Sequence, residues 1–192
     1  MTALTLNLNP IIKLTDDQFF QLCQENENIR LERTAKGELI IMSPAGGETS
    51  NSNAGLTAQI WIWNQQNKLG KVFDSSGGFK LPNGANRAPD ACWVKLERWN
   101  ALTPEQQKKF PPICPDFVVE LMSPSDSLKE TQDKMKEYRA NGAVLGWLIN
   151  RKSRQVEIYR LNQQEVEVLE SPATVSGEDV LPGFILNLES IW

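Results

Sequence analysis

Apolar residues recur first at helical and then at strand spacing along the chain. LTDDQFFQLCQENEN places Phe19, Phe20, Leu22 and Cys23 behind Thr15 and Asp16, the pattern of an amphipathic helix with a side-chain cap. IRLERTAKGELIIMS breaks at Lys36-Gly37 between two strand-like runs, which predicts a hairpin. From Gly47 or Glu48 onward, Leu56, Ile60 and Trp63 fall at i, i+4 and i+7, so a long helix is expected. KVFDSSGGFKLPNGANRAPDACWV then alternates short strand-like runs with Gly, Pro and Asn-Gly turn signals. TPEQQKKF is a short surface helix in an excursion between two strands.

The second half starts with PDFVVELMSPSD, residues 115–126, a strand in which Val118, Val119 and Leu121 have the look of buried positions. A helix follows over residues 127–141. AVLGWLINRKSRQVEIYRL then gives a strand, a turn at RKSR and a second strand. Strand–helix–strand order makes at least part of the sheet parallel. With no internal repeat or low-complexity linker, residues 1–192 are expected to form a single α/β domain, a mixed sheet flanked by helices.

The composition, 40% hydrophobic over 192 residues, is globular and large enough for a substantial core. The start lacks the basic and apolar regions of a signal peptide, and no apolar run approaches the roughly 20 residues of a membrane span. A cytoplasmic location without membrane attachment is the resulting expectation. Cys23, Cys92 and Cys114 have no CxxC spacing, so neither zinc nor a disulfide framework is indicated. The chain has no histidine. That excludes Ser-His-Asp triads and Cys-His dyads, and leaves carboxylates and lysine as catalytic groups.

The net charge of −4 argues against coating nucleic acid by bulk attraction, but the charge is uneven. Residues 129–160 hold eight basic residues against four acids, whereas residues 161–192 hold six acids and no Lys or Arg. A local basic region can meet phosphates while the rest repels them. A solvated helix face and hairpin tip would look the same.

Glu120 is the residue that demands chemistry. An unpaired carboxylate buried in an apolar strand costs several kcal/mol unless a cation or donors compensate it. Asp116 shares its face of the strand, but four steps of about 3.3 Å put the two roughly 13 Å apart, too far for a shared ion. A second Pro-Asp pair, Pro89-Asp90, opens PDACWV. If the two strands are neighbours about 4.8 Å apart, Asp90 and Glu120 can converge on one hard cation. The alternative for Asp90 is an ordinary turn or cap residue.

Asp90, a spacer and Glu120 in VVELMSPSD resemble the PD-(D/E)XK superfamily of nucleases, which have the restriction-endonuclease-like fold. Within it the chain is similar to the Uma-type endonuclease family, through GELIIMSP, PDACWV, PDFVVELMSPSD, DKMKEYRANGAVLGWLIN and VLPGFILNL in order over most of the chain. The superfamily places a lysine two residues after the acid, where this chain has Met122. The resemblance implies that this lysine has moved to the following helix, four residues before a tyrosine, which falls on Lys134 and Tyr138. From Glu120 to the strand end is about 10 Å, and two turns of helix return about 12 Å, so Lys134 comes level with Glu120. Leu128, Met135 and Tyr138 define the buried stripe of that helix. Lys134 lies about 80° from its centre and Lys136 about 120°, on the solvent side.

The resemblance also implies an acidic residue at the start of the long helix, here Glu48; an acid there is equally explained by the helix dipole. It implies Mg²⁺, with Mn²⁺ as a substitute, held by Asp90, Glu120 and the Leu121 carbonyl, and DNA as substrate, with a homodimer left open. The function expected is metal-dependent endonuclease cleavage, with Asp90, Glu120, Lys134 and Glu48 as catalytic residues. Its rival is an inactive nuclease-fold protein serving as a nucleic-acid-binding or interaction module. A sugar hydrolase would need two acids facing across a cleft, for which a single strand glutamate gives little support.

Overall fold

The run Phe117–Met122 is buried along its whole length, a condition met by a central strand covered on both faces. A computed structural model describes residues 4–9 and 11–192. In chain order its elements are β1 (Leu4–Leu6), α1 (Asp16–Glu25), β2 (Arg30–Arg33), β3 (Leu39–Met42), α2 (Gly47–Asn67), β4 (Gly70–Asp74), β5 (Phe79–Lys80), β6 (Asn86–Arg87), β7 (Ala91–Lys95), α3 (Leu96–Asn100), α4 (Pro104–Lys108), β8 (Phe117–Met122), α5 (Leu128–Ala140), β9 (Leu145–Asn150), β10 (Gln155–Arg160), β11 (Glu167–Glu170), β12 (Thr174–Ser176) and β13 (Ile185–Asn187).

The main sheet has the order β11-β10-β9-β8-β7-β4. β8 and β9 are parallel, with Phe117 opposite Leu145 and Met122 opposite Asn150, while the other pairs are antiparallel. α5 makes the crossover that a parallel pair requires. Alternation divides β8 between two cores. Phe117, Val119 and Leu121 pack with Leu56, Ile60 and Trp63 of α2 and with Phe184, Leu186, Leu188 and Ile191. Val118 and Met122 pack with Met135 and Tyr138 of α5 and with Phe79 and Leu81. Glu120 belongs to this second face.

Two local devices set α5 in place. Ser127 caps it, its Oγ accepting from the Glu130 N–H at 3.4 Å. Below it, Gly146 of β9 admits the helix: a Cβ there would sit 2.5 Å from Met135 Cε and 3.2 Å from Val118 Cγ2.

A second sheet has the order β1-β3-β2-β6-β5 and is antiparallel throughout. In its β2–β3 hairpin Gly37 takes the left-handed φ of +88° that favours glycine. β2 meets β6 through Arg33 and Asn86, and three residues separate β6 from β7. The second sheet thus runs into the first at Ala88-Pro89-Asp90, which brings the β2 hairpin against α5. This partition is not foreshadowed by the sequence pattern, because β5 and β6 are two residues each and too short to show periodicity. Among the described residues, no helix is long and apolar enough to cross a membrane.

The other face of the sheet is locked by Asn64 near the end of α2. Its Nδ2 donates to Gly70 O at 2.9 Å, and its Oδ1 accepts from Gly70 N at 3.1 Å and from Trp93 Nε1 at 2.9 Å. A Cβ on Gly70 would lie 2.3 Å from both Trp93 Cε2 and the Val94 carbonyl oxygen. Gly70→Ala is therefore expected to destabilise the protein by about 2–3 kcal/mol through overpacking against backbone. Urea denaturation should show a lower midpoint at unchanged slope; an unchanged midpoint would contradict this packing.

Candidate active site

Glu120 is 7% exposed and faces α5. Lys134 and Tyr138, one turn apart on that helix, both reach its Oε1. The Lys134 ammonium lies at 2.8 Å and the Tyr138 hydroxyl donates at 3.0 Å. Glu120 Oε2 has no hydrogen-bond partner among the described residues. Lys136 points away, its ammonium 3.3 Å from Asp133 on a half-exposed side chain.

Lys134 also contacts a residue that sequence reasoning missed. Its ammonium is 2.9 Å from Oε1 of Glu32, on β2 of the other sheet, and 3.5 Å from the Ala88 carbonyl. Glu32 is 2% exposed. It accepts from the Ala88 N–H at 2.9 Å and from Arg87 Nη1 at 2.9 Å. Arg87 Nε in turn donates to Glu137 Oε2 of α5 at 2.6 Å. Lys134, Glu32, Arg87 and Glu137 thus form a closed loop of charges that begins and ends on one helix.

These contacts set the ionisation order. Burial pushes the Glu32 carboxyl up, but the Lys134 and Arg87 charges and the Ala88 N–H hold it below the usual range. Burial pushes the Lys134 ammonium down, yet Glu120 and Glu32 raise it above its ordinary value. Glu120 shares Lys134 with Glu32 and lacks the second cation that Glu32 has in Arg87. Burial, with further repulsion from Asp90 and Glu32 that Lys134 only partly offsets, raises its carboxyl to about 7.

Asp90 stands on the neighbouring strand path, where its N–H donates to Val119 O at 3.0 Å. Its Oδ2 accepts the Leu121 N–H at 2.8 Å, so its carboxylate touches the peptide unit that follows Glu120. Burial raises the Asp90 carboxyl, and the Leu121 N–H and the charges of Lys134 and Arg30 oppose this incompletely. Oδ1 accepts from Asn53 Nδ2 of α2 at 3.3 Å. The Asn53 Oδ1 is buried without a partner among the described residues.

The structure therefore brings Asp90, Glu120, Leu121 and Lys134 together, and does not bring Glu48. That residue lies in the first turn of α2, but its side chain is 88% exposed and its nearest ion-pair partner is Arg151 at 4.0 Å. The reason is helical phase. Asn53, which does meet Asp90, lies five residues on, so Glu48 points about 140° away around the helix. Asp116 has a separate task, accepting from the Lys95 N–H at 2.8 Å and pairing with Arg98 at 2.8 Å. Glu32 and Asn53 gave little warning in the sequence: a glutamate alternating with Leu31 and Arg33 in a hairpin looks solvent-facing.

Among the described residues, no group of three His, Cys, Asp or Glu side chains is arranged to hold a metal ion. Two carboxylates suffice for Mg²⁺, which keeps several waters and binds through one or two carboxylates. Asp90 and Glu120, the free Glu120 Oε2 and the orphaned Asn53 Oδ1 fit that donor set.

The mixed sheet, with Glu120 on its central strand, Asp90 entering from the adjacent strand and Lys134 on the crossover helix, has the restriction-endonuclease-like fold. The chain belongs to the Uma2 family, described as "Putative restriction endonuclease", whose family model matches residues 16–189. It is similar to a crystal structure of a "putative nuclease belonging to DUF820" from Anabaena variabilis, with a TM-score of 0.77 and 20% identity over 93% of this chain and 97% of that one. At that identity the likeness concerns the fold. No curated protein matches the chain. Family membership supports a nuclease function.

The raised Glu120 carboxyl carries a sign that can be tested. Because the folded state holds this proton up to about pH 7 against 4.5 for an ordinary glutamate, its contribution to stability is full below the lower value and is lost as pH rises through the upper one. In chelator, Glu120→Gln should raise the melting temperature by roughly 2–4 °C at pH 8 and by less at pH 5. A variant equally destabilised at both pH values would contradict the raised carboxyl.

Proposed function

We propose that the protein is a divalent-cation-dependent endonuclease that hydrolyses phosphodiester bonds in DNA. The observation that carries this reading is the unequal charge around Lys134: one ammonium serves Glu32 and Glu120 with Asp90 alongside, leaving negative charge for a cation to balance. The family description, a restriction endonuclease, supports DNA as substrate.

Asp90 and Glu120 would hold the cation, Mg²⁺ or Mn²⁺, with the Leu121 carbonyl. In an extended strand a residue's N–H and C=O point to the same side, and the Leu121 N–H is turned to Asp90. A bound divalent cation supplies a Lewis acid for the phosphate and lowers the pKa of a water. Lys134 orients the attacking water or offers its ammonium to a phosphate oxygen as charge develops there. Tyr138, through its hydrogen bond to Oε1, keeps the other Glu120 oxygen turned outward. Lys152 and Arg154, in the turn that follows β9, lie beyond the same end of the sheet to which Glu120 is close; cations there suit a phosphate backbone.

The test incubates wild type, Glu120→Gln, Lys134→Ala and Lys136→Ala with duplex and single-stranded DNA, in Mg²⁺, in Mn²⁺ and in chelator. Wild type should cleave only with metal. Glu120→Gln should lose cleavage, Lys134→Ala should fall by about 10²–10³-fold, and Lys136→Ala should stay within about twofold. Cleavage should drop steeply with added salt. Activity that persists in chelator, or full activity in Lys134→Ala, would rule the mechanism out. No cleavage together with no metal binding by calorimetry would favour an inactive binding module.

A further inference from the structure

The two carboxylates that share Lys134 differ in what else they can do. Glu32 is closed. Its Oε1 receives the Ala88 N–H and the Lys134 ammonium, each at 2.9 Å, and its Oε2 receives Arg87 at 2.9 Å. Glu120 is open, since Lys134 and Tyr138 both go to Oε1 and Oε2 has no partner among the described residues. A divalent cation held by Asp90 and Glu120 would compete for Glu120 and repel the ammonium beside it. A lysine on a flexible four-carbon stem would then leave unless something else held it.

We propose that Glu32 is a positioning residue, the anchor that keeps the Lys134 ammonium over Asp90 and Glu120 when a cation engages Glu120; this rests on the nuclease reading above. The geometry suits the task. Arg87 bonds Glu32 on one side and Glu137 on the other, and Glu137 is one turn beyond Lys134 on α5. The clamp on Glu32 is therefore referenced to the same helix that carries the lysine. The Ala88 N–H fixes Oε1, the very oxygen that takes Lys134. Glu32 has no oxygen left over for the cation, which separates its role from that of Glu120.

The test compares wild type, Glu32→Gln, Lys134→Met and the double variant in Mn²⁺-supported cleavage, in Mn²⁺ binding by calorimetry and in melting temperature. Glu32→Gln should lower kcat by about 10- to 100-fold through misplacement of the ammonium, with KM for DNA within about threefold. In the Lys134→Met background the same substitution should change kcat by less than about twofold, because the anchor then has nothing to hold. Mn²⁺ affinity should weaken about 5- to 10-fold in Glu32→Gln, where Lys134 falls wholly to Glu120, and this difference should vanish with Met at position 134. A purely structural Glu32 would lower the melting temperature and give the same kcat deficit in both backgrounds, which overturns the proposal. If wild type binds Mn²⁺ and cleaves while Glu32→Gln does both equally well, the anchor alone is wrong. If wild type does neither, the nuclease reading falls and the anchor with it. Should Glu32→Gln fail to fold, a crystal structure of Mn²⁺-loaded wild type decides: Lys134 still bonded to Glu32 supports the anchor, and Lys134 released from Glu32 refutes it.

Discussion

Lys134 carries one positive charge into a place where carboxylates from two sheets compete for it. Glu32 arrives from the β2 hairpin and Glu120 from the centre of the main sheet, and both come within 2.9 Å of the same ammonium. Taking away the shared ammonium would leave two buried carboxylates uncompensated, a loss of about 3–5 kcal/mol. Much of the architecture can be understood as holding this set closed. α5 must cross β8 and β9 at one height, and the missing side chain of Gly146 lets it lie that close. Arg87 must end the short β6 strand just before the chain turns into Asp90, which is how the second sheet delivers both a cation and a site acid within four residues.

The same set explains why the site is poised rather than neutral. Two cations, Lys134 and Arg87, face Glu32, Glu120, Asp90 and the partly exposed Glu137. Glu32 takes most of the compensation and stays ionised, so the imbalance is displaced onto Glu120 and Asp90. Under the nuclease reading this imbalance is what a cation would balance; a neutral apolar site would pack better but could not hold one.

What could be seen in the sequence followed from residues in conflict with their surroundings. Glu120 stood out because an acid in an apolar strand requires compensation; Lys134 followed from the family resemblance, with helical phase setting it apart from Lys136. Asp90 needed one further assumption, that PDACWV and PDFVVELM are neighbours, and β7 and β8 are paired. Glu32 broke no local rule, since a polar residue in a hairpin is ordinary, and its burial is created by α5 and β6 from far along the chain. Glu48 illustrates the opposite error. α2 starts at Gly47, where the sequence puts it, but a start does not fix which side of the helix meets the site, and Asn53 occupies that side. The separation of the β1-β3-β2-β6-β5 sheet from the main one was hidden for a related reason, since it depends on strands too short to carry a pattern.

The closed loop of Lys134, Glu32, Arg87 and Glu137 has a consequence for the order in which the molecule forms. Glu32 and Lys134 are about a hundred residues apart in the chain, and contacts of that separation carry a large loop-closure cost that local pairings must first offset. The β8–α5–β9 unit can assemble from neighbouring segments, but its lysine finds its second carboxylate only after the N-terminal hairpin has docked. A nascent chain emerging from its N-terminus holds Glu32 long before it holds Lys134. The site is therefore complete only once both sheets have formed and met, and a partly folded chain would carry the acids and the lysine without their arrangement.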